Sequence, residues 1–181
     1  MSTGALSQLR EMLLAEGGLM ATLVDTREPA RERSPGTASS PARIAAAGPR
    51  AEGRRVEYEL LVEAIYEGYL LHYGVPRVLE SPDADLGLLA GDQLYAIGLA
   101  RLVALGDTIA VAELADTITL SAIAQAAGSP ALADAIWDAG AHAVGWGSSD
   151  AHREAKELVL HGVPSAIEAM RTSAECVPAA P

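Results

Sequence analysis

Apolar residues recur at helical spacing between residues 58 and 125, with almost no strand-like alternation. This pattern predicts three successive amphipathic helices, at about 55–73, 84–105 and 108–127, each followed closely by a glycine. The sequence between the second and third helices reads Leu-Gly-Asp, a helix stop followed directly by an N-cap residue. We therefore expect these two helices to form a tight antiparallel hairpin.

Further helices are predicted after this segment. One covers about 130–144 and is followed by the turn GWGSSD, in which Ser148 or Ser149 can cap the helix AHREAKELVLHG. A last helix begins near Pro164. The fold class that follows is all-α, an antiparallel bundle of five or six helices.

The composition divides the chain into four parts. Residues 1–25 contain a short helical segment with one apolar stripe, which either docks on the main body, binds another chain or frays. Residues 26–54 are rich in Arg, Pro, Ser, Gly and Ala and are predicted to be a disordered basic linker. The helical bundle domain covers 55–172, and a disordered tail covers 173–181.

Charge is distributed unevenly along the chain, whose formal net charge is −11. Residues 56–181 contain five Lys or Arg against eighteen Asp or Glu, a net charge of −13. So acidic a body argues against nucleic acid as a partner, because a nucleic-acid backbone demands a basic surface.

No stretch of the sequence predicts a membrane span or a secretory signal. The longest uncharged stretch, 117–133, contains Gln125, Gly128 and Pro130. We therefore expect a soluble cytoplasmic protein. The single cysteine, Cys176, predicts neither an internal disulfide nor a metal site.

The first main helix carries two stripes. Glu59, Glu63 and Glu67 stand at i, i+4 and i+8, and we expect that face to meet water. Tyr66, Tyr69 and Tyr73 form an aromatic stripe, for which core packing is one explanation and the lining of a pocket or subunit interface is the other.

The second helix contains three glycines, Gly87, Gly91 and Gly98, on one side. Since each costs about 1 kcal/mol in a helix relative to alanine, something must approach closely there. Asp92 shares a face with apolar residues. It is either a solvated acid at the edge of the stripe or a partly buried acid aimed into a cavity.

Two segments of the chain, LVEAIYEGYLLHYG and LLAGDQLYAIGLARLVALGD, resemble consecutive helices of the trans-isoprenyl diphosphate synthases, the polyprenyl synthetase family. Those enzymes are all-helical, and a pair of aspartates at the end of the first segment holds Mg²⁺ against an allylic diphosphate. The resemblance places Glu63 at the family's glutamate, Tyr66 at its first histidine and His72 at its second. It covers about the middle third of the chain, and it implies part of the isoprenoid synthase fold.

The departures from this family concern its chemistry. Tyr73 and Gly74 stand where the two aspartates belong, and no second DDxxD sequence follows. Scattered single acids bind Mg²⁺ poorly. HExxH and Cys–His spacings are absent as well. We therefore expect no metal, no cofactor and no catalytic residue.

Three functions remain open at this point. The first is a non-catalytic accessory subunit, similar to the small subunit of heterodimeric polyprenyl synthases, which binds a catalytic prenyl synthase or a hydrophobic chain. The second is an enzyme acting on an isoprenoid or other apolar substrate, and the third is a dimerisation scaffold without a ligand. The candidate ligand-binding residues are Tyr66, Tyr69, His72, Tyr73, Asp92 and Tyr95. A homo- or heterodimer is expected, with interface residues Gly87, Gly91, Leu94 and Gly98.

Overall fold

The structure is a computed structural model that describes residues 4–25, 40–80 and 83–176. In these residues the chain forms α-helices, one short 3₁₀ helix and a single antiparallel bridge between Val24 and Leu79. The predicted all-α class is therefore confirmed. The helices are α1 Ala5–Glu16, α2 Gly18–Leu23, α3 Pro41–Ala47, the 3₁₀ helix Pro49–Ala51, α4 Arg55–Tyr73, α5 Ala84–Ala104, α6 Thr108–Ala126, α7 Pro130–Trp146, α8 Asp150–Leu160 and α9 Ala166–Ser173.

The helices α4 to α8 begin and end within two residues of their predicted positions, and the starts of α5, α6 and α8 are fixed by capping side chains. The Asp83 side chain accepts a hydrogen bond from the backbone N–H of Leu86 at 2.7 Å. Asp107 accepts one from Ala110 at 3.0 Å, and Ser149 accepts one from His152 at 3.1 Å. Each bond satisfies a donor that the first helical turn would otherwise leave unpaired.

The small side of α5 packs against α4. A Cβ added at Gly91 would lie 2.3 Å from His72 Nε2, and one added at Gly98 would lie 2.4 Å from Ile65 Cγ1. Gly87 and Leu94 are buried as well. The predicted subunit interface at these four positions is therefore wrong, because they are buried within the chain and the close approach is intramolecular.

The second packing centre is α7, which contacts α3, α6 and α9. Its glycines again set the distance between helices. A Cβ added at Gly140 would lie 2.1 Å from Thr117 Oγ1 of α6. One added at Gly145 would lie 2.6 Å from the carbonyl oxygen of Ala45 in α3.

Residues 40–54 are folded, so the prediction of a disordered linker is wrong there. Ser40 is the N-cap of α3, and Pro41 occupies its first turn, where the missing N–H of proline costs nothing. The buried side of α3 and the 3₁₀ helix consists of alanines, which allow close contact with α4 and α7: Ala42, Ala45, Ala46 and Ala51. The remainder of the predicted linker, 26–39, lies outside the described residues.

Arg50 and Asp107 connect the 3₁₀ helix to the turn between α5 and α6. Nη2 of Arg50 donates to both carboxylate oxygens of Asp107, at 2.8 and 3.0 Å, and Nη1 donates to the carbonyl oxygen of Val144 at 3.2 Å. The hydroxyl of Tyr58 donates to Asp107 at 2.5 Å. Burial alone would raise the pKa of Asp107, but these partners favour its ionised form, and the net pKa is lowered.

The N-terminal segment docks on the body, which is one of the three outcomes left open by the sequence. Leu9 and Leu13 of α1 are fully buried, and α1 packs on α4. Gly17 separates α1 from α2 with a positive φ of 73°. At the other end of the described chain, Ser173 is buried as the last residue of α9 rather than the first of a tail. Residues 177–181 lie outside the described residues.

Candidate functional site

The aromatic stripe of α4 is packed against α7. The ring centroid of Trp137 lies 4.9 Å from that of Tyr66 and 5.2 Å from that of Tyr69. The Tyr69 ring also contacts the ring of Tyr73, at 5.5 Å. Gln125 of α6 donates to the Tyr69 hydroxyl at 2.6 Å. Burial raises the pKa of Tyr66 to about 12 and also raises that of Tyr69. Tyr66 and Tyr69 therefore fill space between helices, as core packing requires, whereas Tyr73 is 45% exposed at the end of the stripe.

The other candidate ligand-binding residues continue this aromatic cluster towards α5. The His72 ring lies 5.8 Å from that of Tyr73 and 5.3 Å from that of Tyr95. Its Nε2 is 3.0 Å from the carbonyl oxygen of Leu88. Asp92 lies 3.5 Å from the same nitrogen, but its side chain is 70% exposed. Asp92 is therefore the solvated acid at the edge of the stripe, rather than an acid aimed into a cavity.

Glu63 and Glu67 are buried, with exposures of 3% and 0%, so the prediction that this face of α4 meets water is wrong for both residues. Arg77 provides the compensating charge. Its Nη2 is 2.5 Å from Glu63 Oε1, and its Nε donates to Glu67 Oε2 at 3.1 Å. The guanidinium group lies 5.1 Å from the ring centre of Tyr66. A cation between two carboxylates offsets much of the cost of burying them.

Glu67 also organises the loop after α4. Its Oε1 accepts hydrogen bonds from the backbone N–H groups of three consecutive residues, Arg77, Val78 and Leu79, at 2.6, 2.7 and 3.4 Å. Glu63 has less support. Burial raises its pKa, and Arg77 opposes that shift only in part. The acid pair therefore joins α4 to the segment that pairs with Val24, which is a structural role.

Sequence reasoning missed this site, although a signal was present. Arg77 is the single Lys or Arg between residues 56 and 100. Glu63 lies between apolar neighbours, Val62 and Ala64, that are themselves fully buried. A lone base that follows two acids by fourteen and ten residues, where the acids lie among apolar residues of a helix, indicates an internal ion pair.

A second buried polar cluster joins α6, α8 and α9. Lys156 Nζ donates to both carboxylate oxygens of Glu113, at 3.3 Å to Oε1 and 3.1 Å to Oε2. His152 Nε2 lies 3.3 Å from Glu113 Oε2. His152 Nδ1 lies 3.2 Å from Ser173 Oγ. The connectivity is that of a serine, histidine and glutamate relay. However, Ser173 is 2% exposed and donates its only hydroxyl proton to the carbonyl oxygen of Met170, so it is not placed to act as a nucleophile.

Within this cluster, Glu113 is expected to contribute most to the pH dependence of folding stability. Burial alone would raise its pKa, but contacts with His152 and Lys156 lower the pKa to about 2. Because the folded pKa lies below the ordinary value, the carboxylate stabilises the fold above pH 4.5 and that contribution is lost as the pH falls towards 2. We expect Glu113→Gln to cost about 2 kcal/mol at pH 7 and almost nothing at pH 2.

Urea denaturation at both pH values measures this difference. Glu154→Gln, at an exposed position of α8, the helix that carries His152 and Lys156, is the control and is expected to change stability by under about 0.5 kcal/mol throughout. An equal cost of Glu113→Gln at pH 7 and pH 2 would contradict the assignment.

Two surface depressions lie away from the aromatic cluster, and none of the candidate ligand-binding residues lines either. The first, of about 550 Å³, lies between residues 22–25 and 75–80. The second, of about 350 Å³, lies between α6 and α8 and includes Lys156 and Arg153. Over the described part of the chain, no group of three or more His, Cys, Asp or Glu is arranged to hold a metal ion.

Large apolar side chains are exposed along α5 and α6, on the sides that face away from α4 and α7. We call these two exposed sides together the outer face. Leu89 is the most exposed of them, at 62%. The outer face consists of Leu88, Leu89, Ala96, Val103, Ile109, Ala112 and Ile123.

The same two helices are long and apolar enough to cross a membrane by length and composition alone. Core helices of soluble proteins pass the same test, and here α5 packs on α4 and α6 on α7. The test is therefore weak evidence for a span. It does show that both helices are apolar on more than the side that they bury.

Comparison of the sequence with protein-family models, with curated proteins and with solved structures gives no match.

Proposed function

We propose that the protein is a non-catalytic accessory subunit that acts by binding another helical chain through the outer face. The observation that carries this proposal is the exposure of apolar side chains along both α5 and α6. Exposed apolar surface of this extent, rimmed by polar residues, marks interaction sites in proteins.

The packing of the predicted pocket supports a non-catalytic role. An enzyme acting through His72, Asp92 and the tyrosines needs a cavity among them, but their rings contact one another and Trp137. Tyr73, which belongs to that cluster, and Gly74, which follows it, stand where the synthase aspartates belong. Metal-assisted ionisation of a diphosphate requires carboxylates that converge on a metal.

The resemblance to isoprenyl diphosphate synthases supplies the class of partner. We propose that the bound chain is a catalytic synthase of that family, in the cytoplasm, as small subunits that lack the aspartate motifs bind their catalytic subunits. A hydrophobic isoprenoid chain as the direct ligand is the less favoured version, because neither surface depression is lined mainly by large apolar side chains.

Affinity purification from the native host, followed by mass spectrometry, tests this proposal. The wild-type protein is expected to retain a synthase-like helical chain, and the double variant Leu89→Glu/Val103→Glu is expected to lose it. Leu160→Glu, at an exposed leucine of α8, is the matched control and should retain it. The pure protein alone, given allylic and homoallylic diphosphates with Mg²⁺, should show no chain elongation; reproducible elongation would refute the non-catalytic assignment.

A further inference from the structure

We infer that the outer face binds a separate chain whose apolar helical surface is flanked by Lys and Arg, and not a second copy of this protein. This inference rests on the proposed function, since it names the chemistry of the partner at the same surface.

The charged groups on the exposed side of α5 are acidic, whereas Arg153 and Lys156 of α8 lie beside the exposed side of α6. Asp85 and Asp92 lie on the exposed side of α5, and Asp116 lies on the exposed side of α6. Asp92 lies 3.5 Å from His72 and its side chain is 70% exposed, whereas Asp116 is paired with Lys156 at 2.7 Å and its side chain is 55% exposed. The one base of α5, Arg101, is paired with Glu16 of α1, and α6 contains no Lys or Arg. Basic groups on a partner would therefore meet carboxylates at this surface.

A second copy would bring the same acids to the same surface. In a twofold dimer each outer face meets its own equivalent, so that Asp85, Asp92 and Asp116 oppose a matching set. Behind each face lies a body whose net charge over residues 40–176 is −10. Like charges within a Debye length of about 10 Å repel at 0.1 M salt, and juxtaposed like charges act against association.

The exposed side of α5 is long enough to receive one helix of a partner. The 21 residues of α5 span about 30 Å, a length that a single amphipathic helix can follow. An amphipathic helix with apolar residues at i, i+3, i+4 and i+7 matches the spacing of Leu89, Ala96 and Val103.

Two labelled helical peptides of equal length test whether the partner needs basic or acidic residues beside its apolar surface. Both have the same leucine and alanine stripe, flanked by Lys in one and by Glu in the other. We expect fluorescence anisotropy to show that the Lys peptide binds the wild-type protein at least tenfold more tightly than the Glu peptide does. That affinity should fall as salt is raised, because the flanking contacts are screened.

Variants of the protein at matched positions test where on its surface the peptides bind. Asp85→Lys/Asp92→Lys is expected to weaken the Lys peptide at least tenfold, whereas Glu154→Lys/Glu157→Lys on α8, with the same change in net charge, should have little effect. Leu89→Glu/Val103→Glu is expected to abolish binding of both peptides. Light scattering of the wild-type protein at low salt should show a monomer.

Each contrary result has a distinct meaning. A wild-type dimer that Leu89→Glu/Val103→Glu dissociates overturns the inference but leaves the outer face as the binding surface. Equal binding of the two peptides, or loss of Lys-peptide binding only in the α8 variant, also overturns it. Flotation with phosphatidylcholine vesicles that the Leu89→Glu/Val103→Glu variant loses would assign the face to a lipid surface and overturn it too. If that variant retains the synthase-like chain in the host, the proposed function fails instead.

Discussion

Replacing Arg77 by methionine is expected to lower the free energy of unfolding by about 3–5 kcal/mol. The substitution keeps an aliphatic side chain but leaves Glu63 and Glu67 buried without a cation. Glu67 would retain its three backbone N–H donors, whereas Glu63 would lose its close charged partner. Urea denaturation followed by circular dichroism measures the loss, which is a large part of the 5–15 kcal/mol typical of a native protein.

Three comparisons separate this charge effect from a loss of packing. Arg171→Met removes an exposed ion pair with Glu168 and should cost under about 1 kcal/mol. Adding Glu63→Gln to the Arg77→Met variant should restore part of its stability, because it removes a buried charge. The deficit should also shrink as the pH falls from 7 towards 4.5, since burial raises the pKa of Glu63 and protonation relieves the repulsion. If the stability lost by Arg77→Met is reduced neither by Glu63→Gln nor by the lower pH, and Arg171→Met costs as much, Arg77 acts only by packing.

The helices could be placed from the sequence because their signals are local. Periodicity fixed α4, α5 and α6, and short-range capping by Asp83, Asp107 and Ser149 fixed where α5, α6 and α8 begin. Of the two explanations for the aromatic stripe, core packing describes Tyr69, which is 4% exposed, but not Tyr73, which is 45% exposed. The likeness to part of the isoprenoid synthase fold stays a prediction.

The burial of Glu63 and Glu67 could not be read from α4 alone. Helical periodicity groups acids on one face and assigns that face to water, but burial was decided by Arg77 and by three N–H groups in the loop that follows. The glycine spacing of α5 led to the wrong prediction of a subunit interface for a related reason. It indicates close approach without naming the partner, and here the partner of Gly98 is Ile65 in the same chain.

The segment at 40–54 was misjudged because its proline count was read without its positions. Ser40 followed by Pro41 is a helix start, since serine caps and proline fits the first turn. The alanines that follow offer little hydrophobic area. They give α3 its place in the core by allowing backbone contact, as Ala45 makes with Gly145.

Removing residues 1–53 is therefore expected to abolish cooperative unfolding, whereas removing residues 1–39 should leave a folded protein of lower stability. The shorter deletion loses the buried leucines of α1 and the rest of α1 and α2. The longer one also removes α3 and the 3₁₀ helix. That step uncovers the backbone of α7 beside Gly145 and leaves Asp107 without Arg50.

Thermal denaturation of the two shortened chains measures the contribution of residues 40–53. Burial of four alanines and the Arg50 contacts together should contribute about 4–6 kcal/mol, which is comparable with the whole stability of a marginal domain. Arg50→Ala in the full chain isolates one component and should cost about 2 kcal/mol, because it leaves a partly buried carboxylate with fewer donors. If both shortened chains melt cooperatively at the same temperature, residues 40–53 contribute nothing to the core, and the contacts of α3 with α4 and α7 do not stabilise the protein.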